Sequence, residues 1–378
     1  MSIYLHDIPL PEAKQRLKEA LISAHLWQRL GVEEIPVDEQ AIGRVLAEAV
    51  WAKISSPHYH ASAMDGFAVR SAHTSSAGPA TPVALYYSSQ TVYVDTGDPL
   101  PEWADGVIPI ENVEPLDDGD LPAADARRPK AIRIRAAIPP WSHVRPVGED
   151  IVATQLVLPE GHRVRPVDLG AVAASGHTSL RVARPPRVAI LPTGSELVPI
   201  GRPVKAGDII EYNSLVLAAQ INSWGAHATR FPITPDAFDA IREKVREAAQ
   251  THDLVLLNAG SSAGAEDFSA GVIASLGEVF VHGVAVRPGH PVILGMIRQE
   301  GRSVPVVGVP GYPVSAALTA EIFVAELIAQ WLGTTVPDVQ RVQARLTRKV
   351  TSPPGDDDYV RVLVGRVGEQ MLAAPLSR

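Results

Sequence analysis

Apolar and polar residues follow different repeats in different parts of the chain. In residues 11–27 the apolar side chains include Leu17 and Leu21 at helical spacing, which predicts a first helix. The stretch VDEQAIGRVLAEAV predicts a second short helix, with Asp38 as its N-cap. In residues 54–138 short β-rich runs alternate with Gly, Pro and Asp turns, and this pattern predicts a separate, mostly β domain.

The segment 141–180 contains turns and a short helix that begins near Val167. We expect this segment to pack with the first two helices, so that the β domain is an insertion. After it, strands alternate with helices, a pattern that indicates a mostly parallel sheet covered on both faces. The predicted elements are strand 187–191, helix 214–224, strand 226–233, helix 236–251, strand 253–258 and, after two further apolar runs, a long helix 314–332.

The predicted fold class is multidomain α/β and β. We expect a mostly parallel α/β sheet domain, an inserted β domain, a small mixed linking domain and a C-terminal β domain. The C-terminal β domain is expected to be incomplete, because few residues follow the last helix and they end on a strand. The predicted boundaries are residues 1–52 and 140–182 for the linking domain, 53–139 for the β domain, 183–333 for the α/β domain and 334–378 for the C-terminal domain.

The composition is that of a globular protein: of 378 residues, 46% are hydrophobic and 20% are charged. The chain has no cysteine, which excludes disulfides and thiolate metal sites, and its N-terminus has no secretory pattern, so we expect a cytoplasmic protein. No apolar run approaches the roughly 20 residues of a membrane span, so we expect no membrane contact. A net charge of −8 argues against nucleic acid as the main partner.

Four motifs lie at one edge of the predicted sheet: ILPTGSE, LNAGSSAGAED, VRPGHP and VPGYPVS. Ligands of parallel α/β sheets bind beyond this edge, at the carboxyl ends of the strands. The last two motifs contain Pro-Gly-X-Pro, in which Pro fixes φ and Gly permits positive φ. We therefore expect two rigid loops at the ends of neighbouring buried strands, on the rim of a binding site.

The glycine loop NAGSSAGAEDF follows an apolar strand. Small residues such as Gly260, Ser261 and Ser262 let backbone N–H groups approach an oxyanion or a phosphate, although a plain strand-to-helix turn explains the pattern equally well. Asp267, just beyond them, has two interpretations. It is either a helix N-cap or a ligand of a metal or of phosphate-bound water.

The other rim motifs carry candidate side chains of both charges. Thr193, Gly194 and Glu196 lie in LPTGSELV, for which the alternative is a tight turn. Asp236 begins a predicted helix, and there an N-cap role is favoured over a functional one. A cationic wall for an oxyanion could be formed by the two residues that flank the first Pro-Gly-X-Pro, Arg287 and His290.

Candidate residues outside the α/β domain are mostly acidic. Asp65 in SAMDGFAVR is followed by Gly, and a turn explains this pair but not the small residues before it. Glu149 and Asp150 in RPVGED could hold Mg²⁺, although solvated turn acids are commoner. His58 and His60 have no third partner nearby in sequence, so we expect surface residues rather than a metal site.

Eight motifs occur in one order along the chain: GRVLAE, SAMDGFAVR, TGDPLPEWADGVIPIE, GED, PTGSEL, NAGSSAGAED, RPGHP and GVPGYPVSA. Together they resemble the molybdopterin molybdenumtransferase family, of the MoeA and gephyrin E-domain type, over nearly the whole chain. The resemblance implies molybdenum cofactor biosynthesis by insertion of molybdate into adenylylated molybdopterin, with Mg²⁺ as cofactor and release of AMP. It also implies an elongated homodimer, in which the α/β domain of one subunit faces the linking and β domains of the other.

The resemblance also gives roles to individual residues, by motif. The predicted catalytic residues are Asp65, Asp150, Glu196, Asp236 and Asp267, the last also as the metal ligand. Arg361, in DDDYVRVL, resembles the family's arginine on the molybdate side. Combined with the rim motifs, the predicted substrate-binding residues are Thr96, Thr193, Gly194, Gly260, Ser261, Ser262, Arg287, His290, Pro310, Gly311, Pro313, Ser315 and Arg361.

Four positions depart from the family pattern. Arg287 and His290 stand where the family usually has Lys, Tyr312 where it has Asn, and Ala259 where it has Gly. Arg keeps the charge, whereas Tyr312 is expected to fill space that an amide would leave open. Because these positions lie in the predicted oxyanion pocket, two alternatives to molybdate insertion stay open. One is a pterin- or oxyanion-binding sensor that acts through a partner, and the other is insertion of tungstate.

Overall fold

The described N-terminal residues begin with a helix, which two strands follow. In the computed structural model, which describes residues 7–259, 268–299, 301–336 and 341–376, helix α1 (Leu10–Ser23) has a proline in its first turn. Strands β1 (Val32–Pro36) and β2 (Val50–Trp51) follow it.

The predicted second helix is wrong except at its first turn. Asp38 accepts a hydrogen bond from the backbone N–H of Gln40 at 2.9 Å, as a cap does, but only a 3-10 turn at Glu39–Ala41 follows. Beyond this turn, Leu46 forms a β-bridge to Val182. Backbone pairing with a distant segment therefore overrides the local helical pattern.

The inserted region is made of short antiparallel strands, as its turn-rich pattern predicts. Two three-stranded sheets, of order β6-β4-β7 and β5-β9-β8, enclose apolar clusters that include Phe67 and Val107. The acidic loop between β8 and β9 is mostly exposed, as expected of a hairpin tip. The strands are β3 (Ala61–Ser62), β4 (Gly66–Val69), β5 (Val83–Tyr86), β6 (Thr91–Val94), β7 (Gly106–Pro109), β8 (Val113–Leu116) and β9 (Ala131–Ile134).

The returning segment connects the β region to the N-terminal strands. Antiparallel pairs join β10 to β3, β11 to β2 and β12 to β1. A small core that includes Leu46, Leu158 and Val172 lies between these elements. The elements of the returning segment are β10 (Val144–Arg145), β11 (Leu156–Leu158), α2 (Pro166–Ala174) and β12 (Ser179–Ala183).

A six-stranded sheet of order β16-β13-β17-β21-β20-β18 forms the centre of the α/β region. The first four strands are parallel, and β20 and β18 are antiparallel additions at one edge. The elements are β13 (Arg187–Pro192), β14 (Leu197–Val198), β15 (Ile209–Ile210), α3 (Asn213–Ser223), β16 (His227–Arg230), α4 (Phe238–Thr251), β17 (Leu254–Asn258), α5 (Ser269–Leu276), β18 (Gly277–His282), β19 (Val286–Arg287), β20 (Ile293–Gln299), β21 (Arg302–Val309), α6 (Pro313–Thr319) and α7 (Ala325–Leu332).

Helices cover both faces of this sheet, and α1 is one of them. Along β17, Leu256 points to the face covered by α1, α3, α6 and α7, and Leu257 points to the face covered by α4 and α5. The expectation that α1 packs with the returning segment is therefore wrong, because Leu17 and Leu21 are buried against the strands β18 and β20. Helical spacing fixes which face of α1 is apolar, but it does not fix which surface that face covers.

The long helix at Pro313–Leu332 consists of α6, a π-helical turn at Ala320–Val324 and α7. By length and composition it could cross a membrane, which corrects the expectation that the chain has no such apolar run. However, 67% of its apolar window is buried inside the protein, and Ile328 and Trp331 lie in the core of the α/β region. The burial is that of a core helix.

The described residues after α7 form four strands. β22, β25 and β24 form a small sheet, and β23 pairs in parallel with β19 of the α/β region. Both faces of β24 are exposed. The strands are β22 (Arg345–Leu346), β23 (Asp357–Asp358), β24 (Val362–Val367) and β25 (Gln370–Pro375).

Candidate functional site

The parallel strands β13, β17 and β21 end side by side at one edge of the sheet. Pro192 lies in register with Asn258, and Asn258 with Val309. The residues that follow these strands surround a cavity of about 340 Å³. Its lining consists of Thr193, Glu196, Leu197, Ile209, Ile210, Glu211, Tyr212, Asn213, Asn258, Ala259, Gly311, Tyr312 and Pro313.

The floor of this cavity is organised by two asparagines that sequence reasoning missed. Buried Asn258 donates from Nδ2 to the carbonyl oxygens of Val309 (3.3 Å) and Pro310 (3.1 Å), and its Oδ1 accepts from Asn213 Nδ2 at 3.3 Å. Asn213 Nδ2 also donates to the carbonyl of Gly311 at 2.7 Å. The only sequence signal was an amide at the end of the apolar run LVLLN. These bonds hold the second Pro-Gly-X-Pro loop against β17 and the start of α3.

The two Pro-Gly-X-Pro loops lie at the same edge, and each directly follows a strand, the short β19 for the first loop and β21 for the second. The first loop precedes β20 and the second follows β21; they become neighbours because these strands are antiparallel, with Ile293 opposite Gly308. Gly289 has φ +115°, and a Cβ there would lie 3.5 Å from the Cβ of Ser315. The first loop therefore covers Ser315, which is buried at the start of α6, whereas Gly311 and Pro313 line the cavity.

The end of β13 places Glu196 at the cavity wall. Buried Thr193 donates its backbone N–H to the carbonyl of Asn258 at 2.9 Å. Gly194 has φ +155°, and a Cβ there would lie 2.8 Å from Oε1 of Glu196, so only glycine lets this carboxylate fold back against the turn. Glu196 lines the cavity and is half-buried.

Asp236 lies beside this turn rather than capping a helix. The N-cap of α4 is Ala237, and the predicted N-cap role of Asp236 is therefore wrong. Instead, Oδ2 of Asp236 accepts from the backbone N–H of Ser195 at 3.4 Å, and its own N–H donates to Ser195 Oγ at 3.2 Å. The sheet edge thus brings two exposed or half-exposed carboxylates, of Glu196 and Asp236, to the same strand end.

Of the two residues predicted to form a cationic wall, the arginine is paired with an aspartate. Arg287 Nε donates to Oδ2 of Asp356, because the parallel pair of β19 and β23 aligns the two segments. The side chain of His290 is exposed, and its carbonyl accepts from the N–H groups of Val284 and Val292. Arg361 is also exposed. Asp356 in the C-terminal part therefore pairs with the arginine that was expected to face an oxyanion.

The glycine-loop predictions lie outside the described residues. The predictions concerned are Gly260, Ser261, Ser262 and Asp267. Asp267 is also the predicted metal ligand. Within the ranges that the structure describes, no cluster of three or more His, Asp or Glu side chains could hold a metal ion.

A second group of predicted residues lies in the β region. Asp65 Oδ1 accepts hydrogen bonds from Thr96, one from the hydroxyl and one from the backbone N–H, both at 2.7 Å. These bonds, led by the hydroxyl, hold the pKa of the Asp65 carboxyl below its usual range. The glycine after Asp65 is not a turn residue, because Gly66 begins β4 and a Cβ there would lie 2.1 Å from the carbonyl oxygen of Ile108.

The paired acids of the GED motif are held by an arginine. Arg145 on β10 donates to Glu149 at 2.5 Å and to Asp150 at 2.9 Å. Because β10 pairs with β3, this cluster belongs to the same region as Asp65. The predicted site residues therefore form two groups, one at the rim of the α/β sheet and one in the β region.

Comparisons with known proteins agree with this architecture. Residues 8–176 match the family model described as MoeA N-terminal region (domain I and II), and residues 189–330 match the model described as Probable molybdopterin binding domain. The solved structure of molybdopterin biosynthesis moea protein from Pyrococcus horikosii has a TM-score of 0.80 at 29% identity and covers 99% of this chain and 90% of that chain. These matches support a multidomain α/β and β fold that includes a molybdopterin-binding domain.

Curated relatives match most of the length of this chain. Molybdopterin molybdenumtransferase 2 of Mycobacterium tuberculosis is 33% identical over 350 residues, which cover 86% of this chain and 82% of the relative. Molybdopterin molybdenumtransferase of Haemophilus influenzae is 30% identical over 337 residues, 86% of this chain and 78% of the relative. With both regions matched in order along the chain, this protein belongs to the molybdopterin molybdenumtransferase family, whose work is molybdenum cofactor biosynthesis.

Proposed function

We propose that this protein inserts molybdate into adenylylated molybdopterin in a Mg²⁺-dependent reaction that releases AMP. The observation that carries this proposal is the cavity at the carboxyl edge of the sheet, where Glu196 lies in the wall and Asp236 lies beside it. The Pro-Gly-X-Pro loop at Pro310 is fixed there by Asn258, so its backbone is pre-arranged for an anionic ligand.

The carboxylates at the end of β13 fit the needs of Mg²⁺. This ion prefers oxygen ligands and is commonly bound by one or two carboxylates together with substrate phosphates. Glu196 and Asp236 would hold it, and when bound it would neutralise charge on the phosphates as the link to AMP is cleaved. Asp267 stays a predicted further ligand, outside the described residues.

We also propose a homodimer in which each site is shared between subunits. Two exposed apolar patches support it. One, the flap patch, adjoins the cavity and consists of Ile200, Val204, Ile209 and Ile210, whereas the other, the hinge patch, consists of Trp51, Ile54, Val152 and Leu156 at the base of the β region. Exposed apolar patches next to polar sites are typical of protein interfaces. A dimer that joins them would bring Asp65 of one subunit towards the cavity of the other.

The direct test is release of AMP. Purified protein is mixed with adenylylated molybdopterin, Mg²⁺ and either molybdate or tungstate, and AMP is measured by chromatography. We expect molybdate-dependent release. Binding of the pterin substrate without AMP release would support the sensor alternative. A preference for tungstate would support the alternative of tungstate insertion.

Two substitutions and a matched control test the assignment of the cavity. Glu196→Gln and Asp236→Asn are expected to lower AMP release on the order of 10–100-fold, because each removes a carboxylate from the end of β13. Asp239→Asn changes an exposed acid in the first turn of α4, near Asp236, and is expected to leave the rate unchanged. Equal rates in all three variants would place the chemistry elsewhere.

A further inference from the structure

Two tyrosines stand at the mouth of the cavity. Tyr212 is 43% exposed and Tyr312 is 72% exposed, and both line the cavity. This exposure corrects the expectation that Tyr312 fills space within the protein. Each tyrosine occupies the same local position, the residue immediately before a helix: Tyr212 precedes α3 and Tyr312 precedes α6.

A side chain-to-backbone hydrogen bond links the chain segments that carry the two tyrosines. The hydrogen bond from Asn213 Nδ2 to the carbonyl of Gly311, 2.7 Å long, joins the residue after Tyr212 to the residue before Tyr312. Pro313 restricts the backbone on the other side of Tyr312. Both tyrosines are therefore attached to fixed backbone at one rim.

Among the residues that the structure describes, these two tyrosine side chains differ from other tyrosines of the chain in their contacts. Elsewhere, Tyr59 donates its hydroxyl to the carbonyl of Gly97, and Tyr93 bonds Asp95 and packs edge-on against a phenylalanine ring. In the described part of the chain, neither Tyr212 nor Tyr312 has a hydroxyl partner or a ring contact of this kind. Two unused aromatic faces at the mouth of a cavity are available to a ligand.

We propose that Tyr212 and Tyr312 form an aromatic clamp that holds the flat nitrogen heterocycle of the substrate by stacking. The apolar side chains of Leu197 and Ile209 continue this surface along the cavity wall. Stacking suits any planar π-system, and both the pterin and the adenine ring of an adenylylated pterin qualify. This inference rests on the proposed function, because that function supplies the heterocycle.

The test uses neutral heterocycles without phosphate, so that it measures stacking alone. The full chain is titrated with adenosine and separately with 6-hydroxymethylpterin, and binding is followed by calorimetry. We expect one of the two to bind, which identifies the ring. For that ligand, Tyr212→Ala and Tyr312→Ala are each expected to weaken binding about tenfold, whereas the Phe variants keep it within about twofold. Tyr86→Ala, which changes a tyrosine 62% exposed in the β region, is the matched control and is expected to bind as wild type does.

The clamp is overturned if wild type binds neither heterocycle, or if both Ala variants bind as tightly as Tyr86→Ala. Failure of the proposed function is a separate result. If wild type releases AMP but the Ala variants bind the heterocycle normally, the function stands and the clamp is wrong. If the Ala variants lose heterocycle binding but wild type releases no AMP, the clamp stands and the function is wrong.

Discussion

At the residue scale, the pairing of Asp65 with Thr96 makes a quantitative test possible. The Thr96 hydroxyl is the main cause of the lowered Asp65 pKa, and the backbone N–H of Thr96 is the next. Thr96→Val removes the hydroxyl and keeps the N–H, so we expect the pKa of Asp65 to rise towards its ordinary value without reaching it. Carboxyl NMR titration measures it. Thr81→Val, at an exposed threonine that bonds Ser76, is the control, and an Asp65 pKa equal in all three proteins would contradict the argument.

A second test at this scale concerns the glycine after Asp65. A Cβ on Gly66 would lie 2.1 Å from the carbonyl oxygen of Ile108 on the paired strand β7, so something in the backbone must shift. We expect Gly66→Ala to destabilise the protein by about 3 kcal/mol, measured by urea unfolding. Gly170→Ala, at an exposed position of α2 where a Cβ meets open space, is the matched change. It is expected to be neutral or stabilising by up to about 1 kcal/mol. Similar unfolding curves for both variants would show that β4 and β7 are not packed this closely.

At the scale of elements, a buried carboxylate fixes the start of α2. Asp168 is 4% exposed and accepts hydrogen bonds from the guanidinium and the backbone N–H of Arg165, and its Oδ2 lies 2.6 Å from His162 Nε2. The Arg165 side chain is the largest cause that holds the pKa of Asp168 well below its usual range, and His162 adds to it. We expect Asp168→Asn to lower the free energy of unfolding by about 2 kcal/mol at neutral pH.

The effect of this substitution should depend on pH. Because the pKa of Asp168 is lower in the folded than in the unfolded chain, its stabilisation is fully present above the ordinary carboxyl pKa of about 4. It is lost as the pH falls below that value. The difference in Tm between wild type and Asp168→Asn is therefore expected to shrink between about pH 4 and pH 2. A difference that stays constant over this range would assign the loss to packing rather than to charge.

At the scale of the whole molecule, the two groups of site residues raise the question of how one site uses both. Asp65 lies in the β region, and Glu196 lies at the rim of the α/β sheet. In the proposed dimer they meet across subunits. Mixing inactive Asp65→Ala chains with inactive Glu196→Ala chains should then restore AMP release, because each mixed dimer has one intact site. About half of the dimers are mixed, so recovery should approach roughly a quarter of the wild-type rate per site.

The control for this experiment is the Asp65→Ala, Glu196→Ala double variant mixed with wild type. Its mixed dimers carry one mutated residue in each site, so they contribute no activity if sites are shared and half activity if each site lies within one chain. Absence of recovery in the first mixture, after subunit exchange has been demonstrated by mass spectrometry, would mean that the site is built within one chain.

The sequence by itself determined the alternation of strands and helices in the α/β region and the edge of the sheet at which the rim motifs lie. Apolar runs such as LVLLN indicate buried strands, and the lengths of the intervening segments indicate helices. Both can be predicted from the sequence because they depend on neighbouring residues. The Pro-Gly-X-Pro loops were also predictable from the sequence. Pro restricts φ and Gly permits positive φ in any surroundings. The ordered motifs carried the family resemblance.

Tertiary structure alone decided which groups meet. The apolar face of α1 packs on β18 and β20, and Asp236 forms hydrogen bonds with Ser195 instead of capping α4. Asp356 forms an ion pair with Arg287. The hydrogen bonds of Asn258 could not be predicted from the sequence for the same reason, since the partners of Asn258 lie on β21 and α3. In each case, several residues of the chain have the chemistry to form the contact, and the fold brings only one of them close enough. A residue's own polarity sets what it can bond, but the position of distant backbone decides which partner lies within reach of a short, directional hydrogen bond.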